Sequence, residues 1–170
     1  MKLQKNKVLF REVQRFPQTW ILILIVVLVV FSWYSFFQQI VLGKPFGTNP
    51  APDLMVWIIW LLFGIGLPWL FWVSKLIVEI KEDRIIIRFY PLHSRTVFLK
   101  DIKSCTTRQY NPILEYGGWG IRWSPWKGMA YNASGNLGVQ LELASGKQIL
   151  IGSQIPEKLA QAIDQGLKKK

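Results

Sequence analysis

Few side chains in this sequence are of the types that carry out catalysis. His93 is the only histidine and Cys105 the only cysteine. His93 lies in a Pro-Leu-His-Ser stretch typical of a solvated turn, and Cys105 lies in a strand pattern with no histidine near it to activate a thiolate. One histidine and one cysteine cannot complete a closed metal site. We therefore expect no catalytic residue, no metal and no cofactor.

Two further patterns bear on enzyme chemistry. Gly117, Gly118 and Gly120 are closely spaced, but no GxxxxGK pattern follows and the flanking residues favour a sheet, so these glycines are predicted to allow tight backbone turns. An enzyme that uses carboxylates and arginine alone remains an alternative. It would need a cleft that gathers Glu115, Asp101 and Arg122.

A candidate interaction surface combines large aromatic and basic residues within a few positions of Trp119. Such side chains insert at lipid interfaces beside phosphates, and they also form hot spots for protein partners. The alternative is that Trp119 and Trp123 fill the core. The residues of this surface are Arg122, Trp123, Trp126, Lys127 and Met129.

Two long apolar runs, residues 16–43 and 54–74, precede this region. An α-helix needs about 20 mostly apolar residues to cross a bilayer, and both runs reach that length without an ionisable side chain. We predict spans at about 19–40 and 54–75 within a transmembrane hairpin of residues 17–75. A signal peptide is the competing interpretation of the first run, but the run is long, lacks a cleavage site and is soon followed by a second span.

The charge distribution predicts the topology. The chain has 21 Lys and Arg against 10 Asp and Glu. Basic residues flank the hairpin on both sides, whereas the loop between the spans carries only Lys44 and Asp53. By the positive-inside rule, both termini are cytoplasmic in a multi-pass protein of the cell (inner) membrane. No nucleic-acid-binding motif accompanies the charge, so nucleic acid is not an expected partner.

Residues 1–16 are predicted to form a basic amphipathic segment. Leu9, Phe10, Val13 and Phe16 have helical spacing with a basic opposite face, which favours a helix lying flat on the headgroups. A basic tail that serves only topology is the alternative. The residues of this membrane-surface segment are Arg11, Arg15, Phe16 and Trp20.

From residue 76 to 170 the apolar period changes to two. About seven short strands are predicted, and one amphipathic helix begins at Pro156. Such a helix covers the open end of a bent antiparallel sheet. The predicted fold class is therefore a two-helix transmembrane hairpin followed by a pleckstrin-homology-like (PH-like) bent antiparallel sheet or barrel with a C-terminal helix.

Specific motifs occur at residues 10–16, 43–50, 116–122, 130–132, 135–139 and 151–154. They resemble those of a family of small uncharacterised prokaryotic membrane proteins, in which two N-terminal helices carry a PH-like domain. This resemblance implies fold and topology and transfers no catalytic or binding residue. The order of elements is similar to that of the photosystem I assembly factor of cyanobacteria and chloroplasts, in architecture alone.

These expectations favour a non-catalytic interaction or assembly module at the cytoplasmic membrane face. Its expected partners are the lipid bilayer and a membrane protein, and a homo-oligomer is possible. A peripheral sensor of anionic lipid headgroups is the alternative. A photosystem-type assembly factor is a weaker one.

Overall fold

A computed structural model of the chain describes residues 7–16 and 18–168. Residues 1–6, 17, 169 and 170 of the predicted domains lie outside the described residues. The chain divides into two compact units, Met1–Phe16 with Ser74–Lys170 and, separately, Pro17–Val73. We call the first the β unit and the second the hairpin unit.

The hairpin unit holds two helices that are long and apolar enough to cross a membrane, Thr19–Val41 and Asp53–Val73. Each contains a π-helical stretch. The first consists of α1 (Thr19–Phe36) and the π-helical Phe37–Val41, and the second of α2 (Asp53–Ile59), the π-helical Trp60–Gly66 and α3 (Leu67–Val73).

A tryptophan bridges the two helices at the irregular part of the second. In an α-helix the N–H of residue 68 would donate to the carbonyl of Gly64, but Pro68 has no N–H. The indole N–H of Trp33 donates to that carbonyl instead, at 3.3 Å. Gly64 also lies against Ser32, where an added Cβ would come within 3.1 Å of the Ser32 Oγ. The hydrogen bond that Pro68 cannot make is therefore replaced by a contact between the two helices.

The β unit is mainly β, with a C-terminal helix, as predicted. Its apolar core combines inward-facing residues of both sheets with Leu159 and Ile163 of that helix. Its elements are β1 (Val8–Gln14), β2 (Lys75–Lys81), β3 (Arg84–Tyr90), β4 (His93–Phe98), a 3₁₀ turn (Leu99–Asp101), β5 (Ile102–Gln109), α4 (Pro112–Tyr116), β6 (Gly120–Ser124), β7 (Gly128–Asn132), β8 (Leu137–Leu143), β9 (Gln148–Gly152) and α5 (Pro156–Lys168).

The strands form two sheets. The first has the order β1-β2-β3-β4 and is antiparallel throughout. The second has the order β5-β8-β9-β7-β6, and its β7 and β9 run parallel. The prediction of a purely antiparallel sheet is therefore wrong at this pair. The chain reaches β9 through the β8–β9 hairpin, which leaves β9 alongside β7 in the same direction.

The segment predicted as a headgroup helix is instead the edge strand β1. Arg11 pairs with Glu79 and Gln14 with Leu76 of β2. The helical spacing misled because the strand's inward face carries polar Glu12 and Gln14 after Phe10, which packs on the core. On that face, Glu12 accepts from the Ser153 hydroxyl at 2.6 Å and the Gln154 amide at 2.8 Å. Hydrogen bonds to the corner between β9 and α5 thus replace the apolar contacts that would have shown a period of two.

The strand β1 changes the domain boundaries. The β unit does not begin at residue 76 but includes the chain up to Phe16, and Phe16 packs on Phe89 with ring centroids 5.4 Å apart. Buried Gln14 donates to the Gly152 carbonyl at 2.8 Å. The hairpin unit is therefore inserted in the connection between β1 and β2, where an ordinary sheet has a short turn.

Candidate interaction surface

The short helix α4 presents apolar side chains to solvent. Asn111 caps it, since its side-chain oxygen accepts from the amides of Ile113 and Leu114. Pro112 suits the first helical position, and Gly117 ends the helix with a φ of 72°. The segment of residues 111–120 thus contains one helical turn that leaves Leu114 84% exposed.

Tyr116 joins this helix to the turn between β6 and β7. Its ring is buried with Tyr110, Ala130 and Leu150. Its hydroxyl accepts from Arg108 at 3.3 Å and donates to the Lys127 carbonyl at 3.4 Å. Burial raises the pKa of the Tyr116 phenol, which stays neutral and able to donate.

Two exposed tryptophans lie at this turn, Trp123 near the end of β6 and Trp126 within the turn. Trp126 is 87% exposed and Trp123 is 67% exposed. Because α4 and the turn are bonded to each other, their apolar side chains belong to one patch. We call this patch the tip, made up of Ile113, Leu114, Trp123, Trp126 and Lys127.

Two open depressions flank the turn. One, of about 540 Å³, lies toward β4 and the β8–β9 turn and is lined by Arg95, Trp123 and Lys147, among others. The other, of about 520 Å³, lies toward α4 and is lined by Leu114, Trp126 and Lys127, among others. Trp123 and Trp126 line both. The tip is therefore a ridge between two depressions, a shape to which a partner with a complementary surface can bind.

The charge beside the tip is positive. Glu115 is neutralised by Arg108, with a closest contact of 2.9 Å. Partial burial raises the pKa of Glu115, but hydrogen bonds from Arg108 and the Asn111 amide outweigh it and leave the pKa below its ordinary value. Arg122 donates to the Trp119 carbonyl, and Lys127 has no ion pair among the described residues. The cations nearest the tip are thus available to a partner.

The structure brings together three of the predicted interaction residues, Trp123, Trp126 and Lys127, which line one depression. Arg122, Trp123, Trp126 and Lys127 are exposed, so Trp123 does not fill the core. Met129 is partly buried and packs on the core. Trp119 is partly buried too, and its indole N–H donates to the Gly135 carbonyl at 3.0 Å.

The predicted membrane-surface segment does not form one surface. Arg11 contacts Glu79 at 3.2 Å on the outer face of the first sheet, and Phe16 packs on the core. Arg15 is exposed just after β1. Trp20 belongs to α1 of the hairpin unit.

The residues singled out for chemistry are dispersed. Burial raises the pKa of Cys105 to about 12, with a further contribution from Asp164, so the thiol is not a nucleophile at neutral pH. Asp101 lies in the 3₁₀ turn after β4, while Glu115 is bound to Arg108. No group of three or more His, Cys, Asp or Glu able to hold a metal occurs within residues 7–16 and 18–168.

Sequence reasoning missed several surface residues. The dipeptide Asn111-Pro112 followed by Gly117 is a helix signal that could have located α4 and its exposed Leu114. Tyr90 at the end of β3 and Leu92 in the following turn are also exposed, and composition did not distinguish this turn from others. Their significance depends on strand pairing, which the local sequence does not reveal.

Comparison with known proteins gives one match. A family model described as a family of unknown function (DUF6141) matches residues 1–168, so the chain belongs to that family. No curated protein and no solved structure matches the chain.

Proposed function

We propose that this member of the family is a membrane-anchored binding module that acts without catalysis. In this proposal the two apolar helices cross the cell membrane as a hairpin, and the β unit is displayed on the cytoplasmic side as an interaction or assembly module. The exposed tip carries the proposal, since it combines projecting tryptophans with available cations. The dispersal of the candidate catalytic residues favours binding over catalysis.

We propose further that the β unit is PH-like. A four-stranded antiparallel sheet, a second sheet packed across a shared core and a C-terminal helix support this assignment. The parallel β7–β9 pair and the added β6 strand depart from a simple PH-like barrel. These departures surround the tip, so the proposed binding surface is an elaboration of the basic fold.

The pairing of β1 with β2 supports the hairpin topology. Gln14 and Leu76 belong to one sheet, which must lie on one side of the membrane. The link from Gln14 to Thr19 reaches at most about 17 Å, and that from Val73 to Leu76 about 10 Å. Neither can cross about 30 Å of hydrocarbon. The start of the first helix and the end of the second should therefore lie on the same side of the membrane. The basic flanking residues favour the cytoplasmic side.

The position of the tip favours a protein as its partner. The first residue of β9, Gln148, has its carbonyl against Gly128 beside the tip, and the last, Gly152, is bonded to Gln14. These ends of β9 are about 13 Å apart. The tip therefore lies away from the strand ends that lead into the hairpin unit. At this position the tip is accessible to a neighbouring membrane protein.

Site-specific crosslinking tests this proposal. A photo-crosslinking amino acid replaces Trp126 in the full chain, which is irradiated in its native membranes, and the same residue at exposed Gln161 of α5 serves as the matched control. We expect one protein adduct of defined mass from position 126 and none from position 161. Equal adduct patterns at both positions would overturn the tip as the binding surface.

A charge variant adds specificity to the experiment. Lys127→Glu leaves the exposed backbone of the turn unchanged but reverses a cation of the tip. We expect it to lower the adduct yield at position 126 by more than tenfold, because charge reversal at a hot spot costs several kcal/mol. Lys158→Glu, on exposed α5, should leave the yield unchanged. Loss of the adduct in both variants, or in neither, would contradict a specific partner.

A further inference from the structure

One end of the four-stranded sheet is fixed near the membrane by chain connectivity. Ser74 is the only residue between α3, which ends at Val73, and β2, which begins at Lys75. Lys75 therefore lies within about 7 Å of the helix end, whatever the arrangement of the two units. No comparable constraint acts on the tip.

The strand register brings a second segment to this end. Lys75 pairs with Tyr90, the last residue of β3, and His93 pairs with Phe89 after the turn. Paired residues are separated by about 5 Å. The β3–β4 turn therefore lies at the same end of the sheet as Lys75. We call Lys75, Arg88, Tyr90 and Leu92 the membrane-proximal end.

The membrane-proximal end carries side chains of the types that are common at lipid interfaces. Leu92 is 63% exposed and Tyr90 is 51% exposed. The Lys75 ammonium lies 5.4 Å from the centre of the Tyr90 ring. A tyrosine with an apolar body and a polar tip, beside a lysine, is typical of the headgroup region.

The charge of this end is positive and available. Arg88 is exposed, and so is Arg15, which follows the strand residue paired with Leu76. Within the described residues, Lys75, Arg88 and Arg15 form no ion pair, whereas the nearest acidic side chain on this face, Glu79, is held by Arg11.

We propose that the membrane-proximal end binds the anionic phospholipid headgroups of the bilayer in which the hairpin is anchored. Lys75, Arg88 and Arg15 contact phosphates, while Leu92 and Tyr90 enter the interface. The inference rests on the membrane anchoring in the proposed function and adds the lipid class and the residues. Lipid is favoured over protein here because the one-residue connection keeps Lys75 within about 7 Å of the end of a helix that is proposed to cross the bilayer.

A depth measurement in vesicles tests the inference. The full chain carries a fluorescent amino acid in place of Leu92 or, as the control, of exposed Ser145 in the β8–β9 turn. It is reconstituted in phosphatidylcholine alone or mixed with phosphatidylglycerol. Quenching by a lipid-borne spin label reports contact, and quenching by iodide reports water. We expect lipid quenching at position 92 only, stronger with phosphatidylglycerol and weaker at high salt.

Neutralising variants test the charges. Lys75→Gln and Arg88→Gln, made separately, should each shift the balance between lipid contact and separation at position 92 roughly fivefold toward separation in the phosphatidylglycerol mixture. Lys147→Gln at the opposite end of β9 should not shift it. Because Lys75 also contacts the Tyr90 ring, Arg88→Gln keeps the test valid should the first variant misfold.

Each outcome decides a separate claim. Equal quenching at positions 92 and 145 in chains that have entered the vesicles would overturn this inference and leave the proposed function intact. A photo-crosslinker at position 92 that captures a protein and no lipid would overturn it too. A chain that stays outside the vesicles would overturn the anchoring, and the inference with it.

Discussion

The tip and the membrane-proximal end have similar compositions but are positioned by different means. Both expose large apolar side chains beside cations that form no ion pair within residues 7–16 and 18–168. The tip is built locally, by the cap of α4 and the hydroxyl of Tyr116. The membrane-proximal end is positioned by a single residue of connection to α3 and by pairing across β2 and β3.

The difference shows that residue composition can indicate a binding surface, whereas chain connectivity determines where that surface lies and therefore which partner it can contact. Residue type alone indicates that Trp123 and Trp126 belong to a binding surface, but such side chains bind lipid as well as protein. Leu92 and Tyr90 are less conspicuous, yet the register with Lys75 places them beside a helix end. The composition of a surface can be predicted from the local sequence, whereas its position relative to a helix end requires the fold.

The largest expected effect comes from cutting the bonds that hold β1. Glu12→Ala removes two hydrogen bonds to a charged group, those from Ser153 and Gln154, and should lower the free energy of unfolding of the β unit by about 3 kcal/mol. Denaturant unfolding of the full chain in detergent, followed by a probe in the β unit, measures it. Lipid contact at position 92 should weaken while the adduct at position 126 persists.

Exposed Glu157 on α5 provides the control for this variant. Glu157→Ala should change the free energy of unfolding by less than about 1 kcal/mol. If both variants unfold alike, or if Glu12→Ala abolishes the adduct at position 126 as well, the two surfaces are not supported separately and the comparison fails.

A smaller effect is expected at the base of the tip. Tyr116→Phe removes the hydroxyl that links Arg108 to the Lys127 carbonyl while keeping the buried ring. We expect a loss of about 1 kcal/mol in the free energy of unfolding and a weaker adduct at position 126. Hydrogen exchange of the β6–β7 turn should quicken. Unchanged exchange there would show that the turn does not depend on α4.

The smallest effect concerns pH. The pKa of Glu115 is lower in the folded chain than in the unfolded one, so its pair with Arg108 adds stability above the unfolded pKa. That stability is lost as the pH falls through the folded pKa. Glu115→Gln should therefore cost up to about 1 kcal/mol at neutral pH and nothing at strongly acidic pH. A constant difference between the two proteins across this range would contradict the assignment.

The sequence predicted the elements whose signals are local. The two apolar runs predicted two helices of membrane-spanning length, and the amphipathic pattern from Pro156 predicted α5. The period of two after residue 76 was also informative, because alternate residues such as Ile85 and Ile87 face the core.

Elements whose signals are remote were missed. β1 pairs with a strand more than 60 residues later, and polar Glu12 and Gln14 occupy its buried face, so neither its partner nor its period was visible. Three residues of the tip, Trp123, Trp126 and Lys127, belong to the predicted interaction surface, but the exposure of Leu114 beside Trp126 required α4 to be in place. The membrane-proximal end required a register.

The hairpin unit follows β1 and precedes β2, so the β unit can be completed only after both apolar helices have been synthesised. A nascent chain releases β1 first, and β1 lacks its partner strand until β2 has emerged. If the two helices cross the membrane as proposed, failure of one helix to insert would leave β1 and β2 on opposite sides of the bilayer, and the unpaired edge of β2 would be open to proteases and chaperones. In this proposal, correct insertion of both helices is a precondition for a complete β unit.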